Sequence, residues 1–433
     1  MQISLESTSN LGRKMTVEVS PDRIDPEVEK RLKAMSQRVK ISGFRPGKVP
    51  FRIVKQRFGD QVLREVTGEV LRTSFQEAIA QQSLRPTGGP RLEPSELGEG
   101  RGLRYTATFE VYPDFELASV VGMEIKRPQA EVTDAEVDEM IEKLRAQRKI
   151  WDAVDRAAQK GDQVVIDFTG SIKGQPFKGN EGKDLSFELG AEQMLDGFED
   201  HLIGATAGDT KLIQLSFPDE HQNRALAGKT ADFEVKVKQV SQPRLPALDD
   251  EFVKSLGIME GGVDALREAA RANMRRELEQ KIKARIKTQA MDGLLQRIEL
   301  ELPETMVKEE IARLRKQAME NLDESDERRF TDELFAEEAG KRVKLGLIVG
   351  EIVRKHELKP DSKKVQQTLQ ALAGRAGDPQ QMIDYYGQNP AAMANIEALV
   401  IEDQVVDWIL AQANVVPEPM SFSELVAPAT PKP

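Results

Sequence analysis

The side chains that most often do chemistry are scarce in this sequence: its 433 residues include three histidines, His201, His221 and His356, and no cysteine. Without thiols there is no disulfide framework, zinc knuckle, iron–sulfur cluster or cysteine nucleophile, which suits a reducing cytosol. The histidines are scattered, and none stands in an HExxH or HxxxH spacing that could chelate a metal. No GxSxG offers a serine nucleophile, and no Walker A motif is there to cradle a nucleotide phosphate. The sequence therefore implies no metal, no cofactor and no ATP. Two other groups of residues stand out: a set of phenylalanines and a run of cations.

Six of the sixteen phenylalanines, Phe168, Phe177, Phe187, Phe198, Phe217 and Phe233, fall between residues 161 and 240. That stretch reads as strands at 163–169, 185–189, 211–217 and 231–240, separated by Gly and Pro turns, inside a chain that is helical on both sides. A short β-rich insert of this kind is a domain of its own. Any one of these rings is most simply core. Six of them in so short a stretch cannot all be buried without leaving a concave aromatic surface, and such concavities are default ligand sites.

From residue 30 to residue 58 there are ten basic side chains, Lys30, Arg31, Lys33, Arg38, Lys40, Arg45, Lys48, Arg52, Lys55 and Arg57, and no acidic one. A plain solvated face is the competing reading, but such faces mix signs, and an acid-free run points to a polyanion. With no helix-turn-helix or zinc signature, RNA is favoured over duplex DNA. The elements around the run can be read. Asp25 as N-cap and Pro26 at the first position open a helix with Val28, Leu32, Met35 and Val39 on one face. Residues 42–48 form a Gly/Pro loop with Phe44 at its tip. Pro50 starts a short helix with Phe51, Val54 and Phe58 inward and Gly59 as its stop, and a further helix covers 60–82. Period-two patterning at 2–8, 14–20 and 104–111 predicts strands that complete an α+β unit.

At this point the residues carry a resemblance. In order and spacing, Asp167-Phe168-Thr169-Gly170, Gln175-Pro176-Phe177, Phe187-Glu188-Leu189-Gly190, Met194-Leu195-Asp196-Gly197-Phe198-Glu199 and Ala231-Asp232-Phe233-Glu234-Val235 resemble an FKBP-type peptidyl-prolyl isomerase. Ahead of them, Gly43-Phe44-Arg45-Pro46-Gly47-Lys48-Val49-Pro50 resembles the ribosome-docking signature of the bacterial trigger factor family. With the closing Ser421-Phe422-Ser423-Glu424-Leu425, the resemblance covers the whole chain. It implies an aromatic cup for a proline ring at Phe168, Phe177, Met194, Leu195, Phe198 and Phe233. His221 falls at the family's tyrosine position, although a surface histidine is its plainer reading. The resemblance also implies a ribosome contact through Gly43, Phe44, Arg45, Pro46, Gly47 and Lys48. Lys178 and Phe198 stand where macrolide-binding members carry an acidic residue and a tryptophan, which argues against tight macrolide binding. Pro46 stands where many relatives are basic, so the loop is stiffer and one cation poorer.

The helical remainder is split by the insert. Thr133-Asp134-Ala135-Glu136 is a capping box ahead of Val137, Met140, Ile141 and Leu144. After a Pro-marked linker at 241–246, helices are predicted at 263–298, 303–322, 331–358, 361–374 and 390–413. No strict heptad persists, which weighs against a coiled coil, while a plain bundle stays open. The resemblance instead makes these helices the arms of a cradle whose Met-containing surfaces suit many unfolded clients.

The expected fold class is therefore multidomain α+β. An N-terminal α+β ribosome-binding domain (1–112) comes first, then a linker with the first helical part (113–150). An FKBP-like β-rich isomerase domain (161–243) is inserted into an elongated all-α chaperone domain completed by 247–433. Charge follows this division: residues 1–112 hold 19 basic and 14 acidic side chains, a balance of +5, so the remainder carries −16 of the total of −11. The partners implied are the large ribosomal subunit near the exit tunnel, through protein and rRNA, nascent and unfolded polypeptides, and a second copy as a homodimer off the ribosome. The first residues carry no secretory signal and no run of 18 apolar residues occurs, so a cytoplasmic protein with no membrane partner is expected. The function implied is an ATP-independent, ribosome-associated chaperone that also isomerises Xaa-Pro bonds. The alternative is a free cytosolic prolyl isomerase or holdase whose basic hairpin binds another polyanion.

Overall fold

The computed structural model describes residues 1–39, 44, 49–98, 102–177, 179–219, 223, 226–319, 330–374 and 378–427. The chain divides into two compact units, Met1–Arg127 with Ala284–Pro417 and Pro128–Lys283 with Glu418–Pro433.

In chain order the first unit opens with β1 (Gln2–Ser7), β2 (Gly12–Val19), α1 (Asp25–Ser36), α2 (Phe51–Gln81), β3 (Pro86–Gly98) and β4 (Gly102–Val111). The strands form an antiparallel sheet in the order β1-β2-β4-β3. The alternation in β2 and β4 buries Met15, Val17 and Val19 beside Leu103, Tyr105, Ala107 and Phe109. Onto this face α2 lays Val54, Val62, Val66, Phe75 and Ala78. Each large apolar side chain buried this way contributes about 1.5–3 kcal/mol. Phe75 meets Phe109 edge-on at 5.5 Å, and the buried Tyr105 hydroxyl lies 3.0 Å from that of Ser74.

Three sequence expectations are corrected here and in the insert. Asp25 is the first residue of α1, not its cap; Ile24 holds the cap position, after a 3-10 turn at Pro21–Arg23. Gly59 stops nothing: the two helices expected on either side of it are one helix, α2, because the apolar stripe Val54, Phe58, Val62, Val66, Val70 passes it unbroken. A lone glycine in a helix costs only about 1 kcal/mol, which such a stripe outweighs. The third correction is the linker expected at 241–246, whose first part is strand, as described below. The sequence also gave no hint of β3, which contains Pro86, Pro90 and Pro94. It tolerates them as an edge strand, with shifts of register between Thr87 and Arg91 and between Pro94 and Glu96.

Next come β5 (Glu124–Gln129), α3 (Asp134–Gln147), β6 (Ile150–Ala153), β7 (Gln163–Ser171), β8 (Glu181–Glu188), β9 (Thr210–Ser216) and β10 (Thr230–Arg244). The capping box of α3 forms as expected, with Thr133 N donating to the Glu136 carboxylate at 2.8 Å and Glu136 N donating to Thr133 Oγ1 at 3.3 Å. The insert is an antiparallel sheet in the order β6-β10-β7-β8, with β9 also on β10. The last residues of β10, from Ser241 to Arg244, pair with β6. Pro243 is accommodated because pairing with β7 has ended at Ser241.

The helices that follow are α4 (Asp250–Ser255), α5 (Gly262–Arg297), α6 (Glu304–Met319), α7 (Asp332–Lys355), α8 (Ser362–Ala373), α9 (Pro379–Gln388) and α10 (Pro390–Leu410), then β11 (Asn414–Pro419) and α11 (Phe422–Val426). The five long helices stand where the periodicity placed them, while α4, α9 and α11 are additional. In the second unit Val137 and Ile141 of α3, Phe252 of α4, Leu266 and Met274 of α5 and Phe422 of α11 share one core. β5 and β11, far apart in sequence, pair as a two-stranded sheet.

Candidate functional site

The six phenylalanines of the insert form one connected cluster. Phe233, on β10, is its hub: its ring centroid lies 6.2 Å from Phe168, 6.4 Å from Phe177, 5.8 Å from Phe198 and 6.4 Å from Phe217, and Phe187 joins through Phe198 at 6.3 Å. Most pairs are edge-to-face, the arrangement that ring quadrupoles favour. Phe198 and Phe233 are only 1% and 4% exposed and make a floor, while Phe168, Phe177, Met194 and Leu195 are half-buried against the same core. The structure thus brings together all the expected cup residues except His221, which lies outside the described residues, as does Lys178.

Backbone register sets the positions of the rings. On β7, Val164, Ile166, Phe168 and Gly170 point to one face, and the register on β8 shifts between Ile166 and Phe168. Phe168 stands directly across from Gly182 of β8, and Phe233 across from Gly170 of β7. A Cβ on Gly182 would lie 2.5 Å from the Phe168 ring, and one on Gly170 would lie 2.8 Å from Phe233 and 3.2 Å from Phe177. Each ring therefore lies over a glycine on the neighbouring strand. These glycines were missed as site residues, although a glycine inside a strand pattern is itself a sign of close approach. The loop carrying Phe177 is tied to the same place: Gly170 N donates to Asn180 O at 2.5 Å, and Asn180 Nδ2 returns to Gly170 O at 3.0 Å.

A second omission is Glu199, next to Phe198. Its carboxylate is 7% exposed and accepts backbone N–H groups from Gly190 at 2.6 Å, Gln193 at 2.8 Å, Glu192 at 3.2 Å and Met194 at 3.3 Å. Burial pushes its pKa up, but the four donors outweigh that and hold it below the ordinary glutamate range. Nearby, Asp162 accepts two bonds from the Arg156 guanidinium at 2.5 and 2.9 Å and one from Gln159 N at 2.8 Å. Its pKa is lowered, chiefly by the Arg156 hydrogen bond. Among the described residues, those that pack around the cluster of rings are apolar.

In the basic region Phe44 is 40% exposed, while Gly43, Arg45, Pro46, Gly47 and Lys48 lie outside the described residues. On α1, Lys30 pairs with Glu27 at 3.2 Å, Lys33 with Glu29 at 2.7 Å, and Arg31 with Glu27 of the same helix and Glu69 of α2. Among the described residues no group of three or more His, Asp or Glu is placed to hold a metal ion, and no helix is long and apolar enough to cross a membrane.

Three stretches of the chain match families of known proteins. Residues 154–238 match the family model for FKBP-type peptidyl-prolyl cis-trans isomerases. The insert is thus an isomerase domain of that class. Residues 1–144 match the model for bacterial trigger factor protein, and residues 262–411 match that for its C-terminus. The chain is 50% identical to the trigger factor of Thioalkalivibrio sulfidiphilus over 99% of its own length and 98% of that protein. It is 46% identical to that of Halorhodospira halophila, covering 98% of both chains. It is 44% identical to that of Alkalilimnicola ehrlichii, over the whole of this chain and 97% of that one. The chain belongs to the trigger factor family of chaperones.

Proposed function

We propose that this chaperone docks on the large ribosomal subunit near the exit tunnel through Phe44, Arg45 and Lys48 of the loop Gly43–Lys48. There it shields nascent and unfolded chains, and it isomerises their Xaa-Pro bonds in the cup of Phe168, Phe177, Met194, Leu195, Phe198 and Phe233, with His221 at the family's tyrosine position. The observation that supports the isomerase assignment is the aromatic cluster, with Phe198 and Phe233 buried and Phe168, Phe177, Met194 and Leu195 half-buried around them. Rotation about an Xaa-Pro bond crosses a barrier of about 18–20 kcal/mol and breaks no covalent bond. Twisting the amide removes its resonance and much of its charge separation. A dry apolar cup therefore stabilises the twisted state more than the planar one, with no acid or base required. The docking assignment is supported by the basic N-terminal module at +5 on a body at −16. Cations on a loop with an exposed phenylalanine suit phosphate contact with one apolar anchor.

Replacing Phe44, Arg45 and Lys48 together with Ala should lower co-sedimentation with ribosomes by about tenfold or more at moderate salt, while proline-limited refolding of a test protein proceeds at the wild-type rate. Undiminished co-sedimentation would instead favour a free isomerase whose hairpin binds another polyanion.

A further inference from the structure

We infer that Glu199 is a positioning residue of the isomerase, setting the Met194–Leu195 wall of the cup through the loop it anchors. This rests on the cup reading above.

The carboxylate is enclosed by the segment it organises. Oε2 takes Gly190 N and Glu192 N, Oε1 takes Gln193 N and Met194 N, and the chain then returns through a turn in which Phe198 N donates to Leu195 O at 2.9 Å. Two residues of the segment have left-handed backbone, Gly190 at φ +88° and Glu192 at φ +55°. For Glu192 that conformation is strained, and it persists only where the surroundings hold it. The four N–H bonds supply that hold. On the far side, a Cβ at Gly190 would strike the aliphatic chain of Lys160, with Cε 2.6 Å away, so the segment is confined there as well. The next residues, Met194 and Leu195, are half-buried rim side chains of the cup, and Phe198, its floor, immediately precedes the anchoring carboxylate. Floor and wall are therefore joined by one side chain that itself never faces the proline.

A wall placed through a loop acts on substrate and twisted amide alike. Loosening it should weaken binding more than turnover. In Glu199→Gln the side-chain volume is kept, but an amide NH2 now faces backbone donors, so part of the set of four bonds is lost. The experiment uses the full chain with a proline tetrapeptide as substrate, alongside amide hydrogen exchange. The expected result is faster exchange at Gly190, Glu192, Gln193 and Met194, with β7 and β10 unaffected. KM should rise about tenfold and kcat stay within about twofold. Unchanged exchange would overturn the anchoring role. A loosened loop with unchanged KM, or a fall in kcat at constant KM, would overturn the positioning role. If the Gln variant fails to fold, Glu199→Asp, which keeps the charge on a shorter arm, is read by the same measures. The exchange measurement does not depend on where proline binds, so failure of the cup reading, seen as full activity in Phe177→Ala, remains separable.

Discussion

Gly170 and Gly182 set how closely side chains approach at the floor of the insert. With Phe233 2.8 Å from where a Cβ on Gly170 would sit, and Phe177 only 3.2 Å away, neither ring can move aside without disturbing the other. Gly170→Ala should therefore destabilise the isomerase domain by about 1–3 kcal/mol through overpacking, measured by urea unfolding of the full chain, and should lower isomerase activity as the hub ring shifts. Wild-type activity and stability together would show that the rings are not locked over their glycines. The aromatic residues of this site were legible in the sequence because six rings crowd one short stretch. The glycines and Glu199 were not, because each depends on what stands opposite it. A glycine in a strand reads as a weak point until its cross-strand neighbour is known, and an acidic residue in a Gly-containing turn reads as solvated until four N–H groups are found around it.

The helix α6 begins on a carboxylate supplied by another element. Glu110 of β4 accepts Glu304 N at 3.1 Å and Thr305 N at 2.8 Å, so it caps the helix and sits at the positive end of its dipole. Thr305 also packs against Gly88 of β3, where a Cβ would lie 2.7 Å from its methyl group. Burial raises the Glu110 pKa, but the two backbone bonds, with Lys308 nearby, bring it below the ordinary glutamate value. A depressed carboxylate pKa contributes stability that is complete above the unfolded-state value and is lost as pH falls through the folded one. Glu110→Gln should cost about 0.5–2 kcal/mol at neutral pH and speed exchange of the Glu304 and Thr305 amides, an effect that shrinks in acid as the wild-type group protonates. Equal protection of those amides in both proteins would rule out the cap. The same scale shows what sequence patterns omit. The stripe on α2 was visible, but the expected stop at Gly59 gave a lone glycine more weight than a continuous apolar face. In β3 three prolines hid an edge strand, and in β10 Pro243 made the end of a strand look like a linker. In each case the deciding fact was which neighbour the backbone pairs with.

For the molecule as a whole, the expected order of a basic α+β module, a β-rich insert and a helical remainder was legible from composition and periodicity. What they did not reveal is that each compact unit draws on two separate stretches of chain. In the second unit Phe422 and Leu425, late in the sequence, complete the core of α3, α4 and α5. Deleting everything from Asn414 onward should therefore expose α3 to proteolysis and unprotect the amides of Val137 and Ile141. Isomerase activity should remain, since the insert's core contains none of the deleted residues. Loss of that activity in the truncated chain would mean that the insert depends on the helical core.

The pairing of β5 with β11 also has a temporal side. Ribosomes deliver a chain from its first residue onward, and β5 emerges long before its partner, with the isomerase insert and the helices α5 to α10 still to come. Closing so wide a span carries a loop-closure cost that no local contact offsets early on. The N-terminal sheet and the insert can fold as they appear, whereas β5 must wait until β11 has been made. A member of a chaperone family thus passes much of its own synthesis with one of its sheets still unformed.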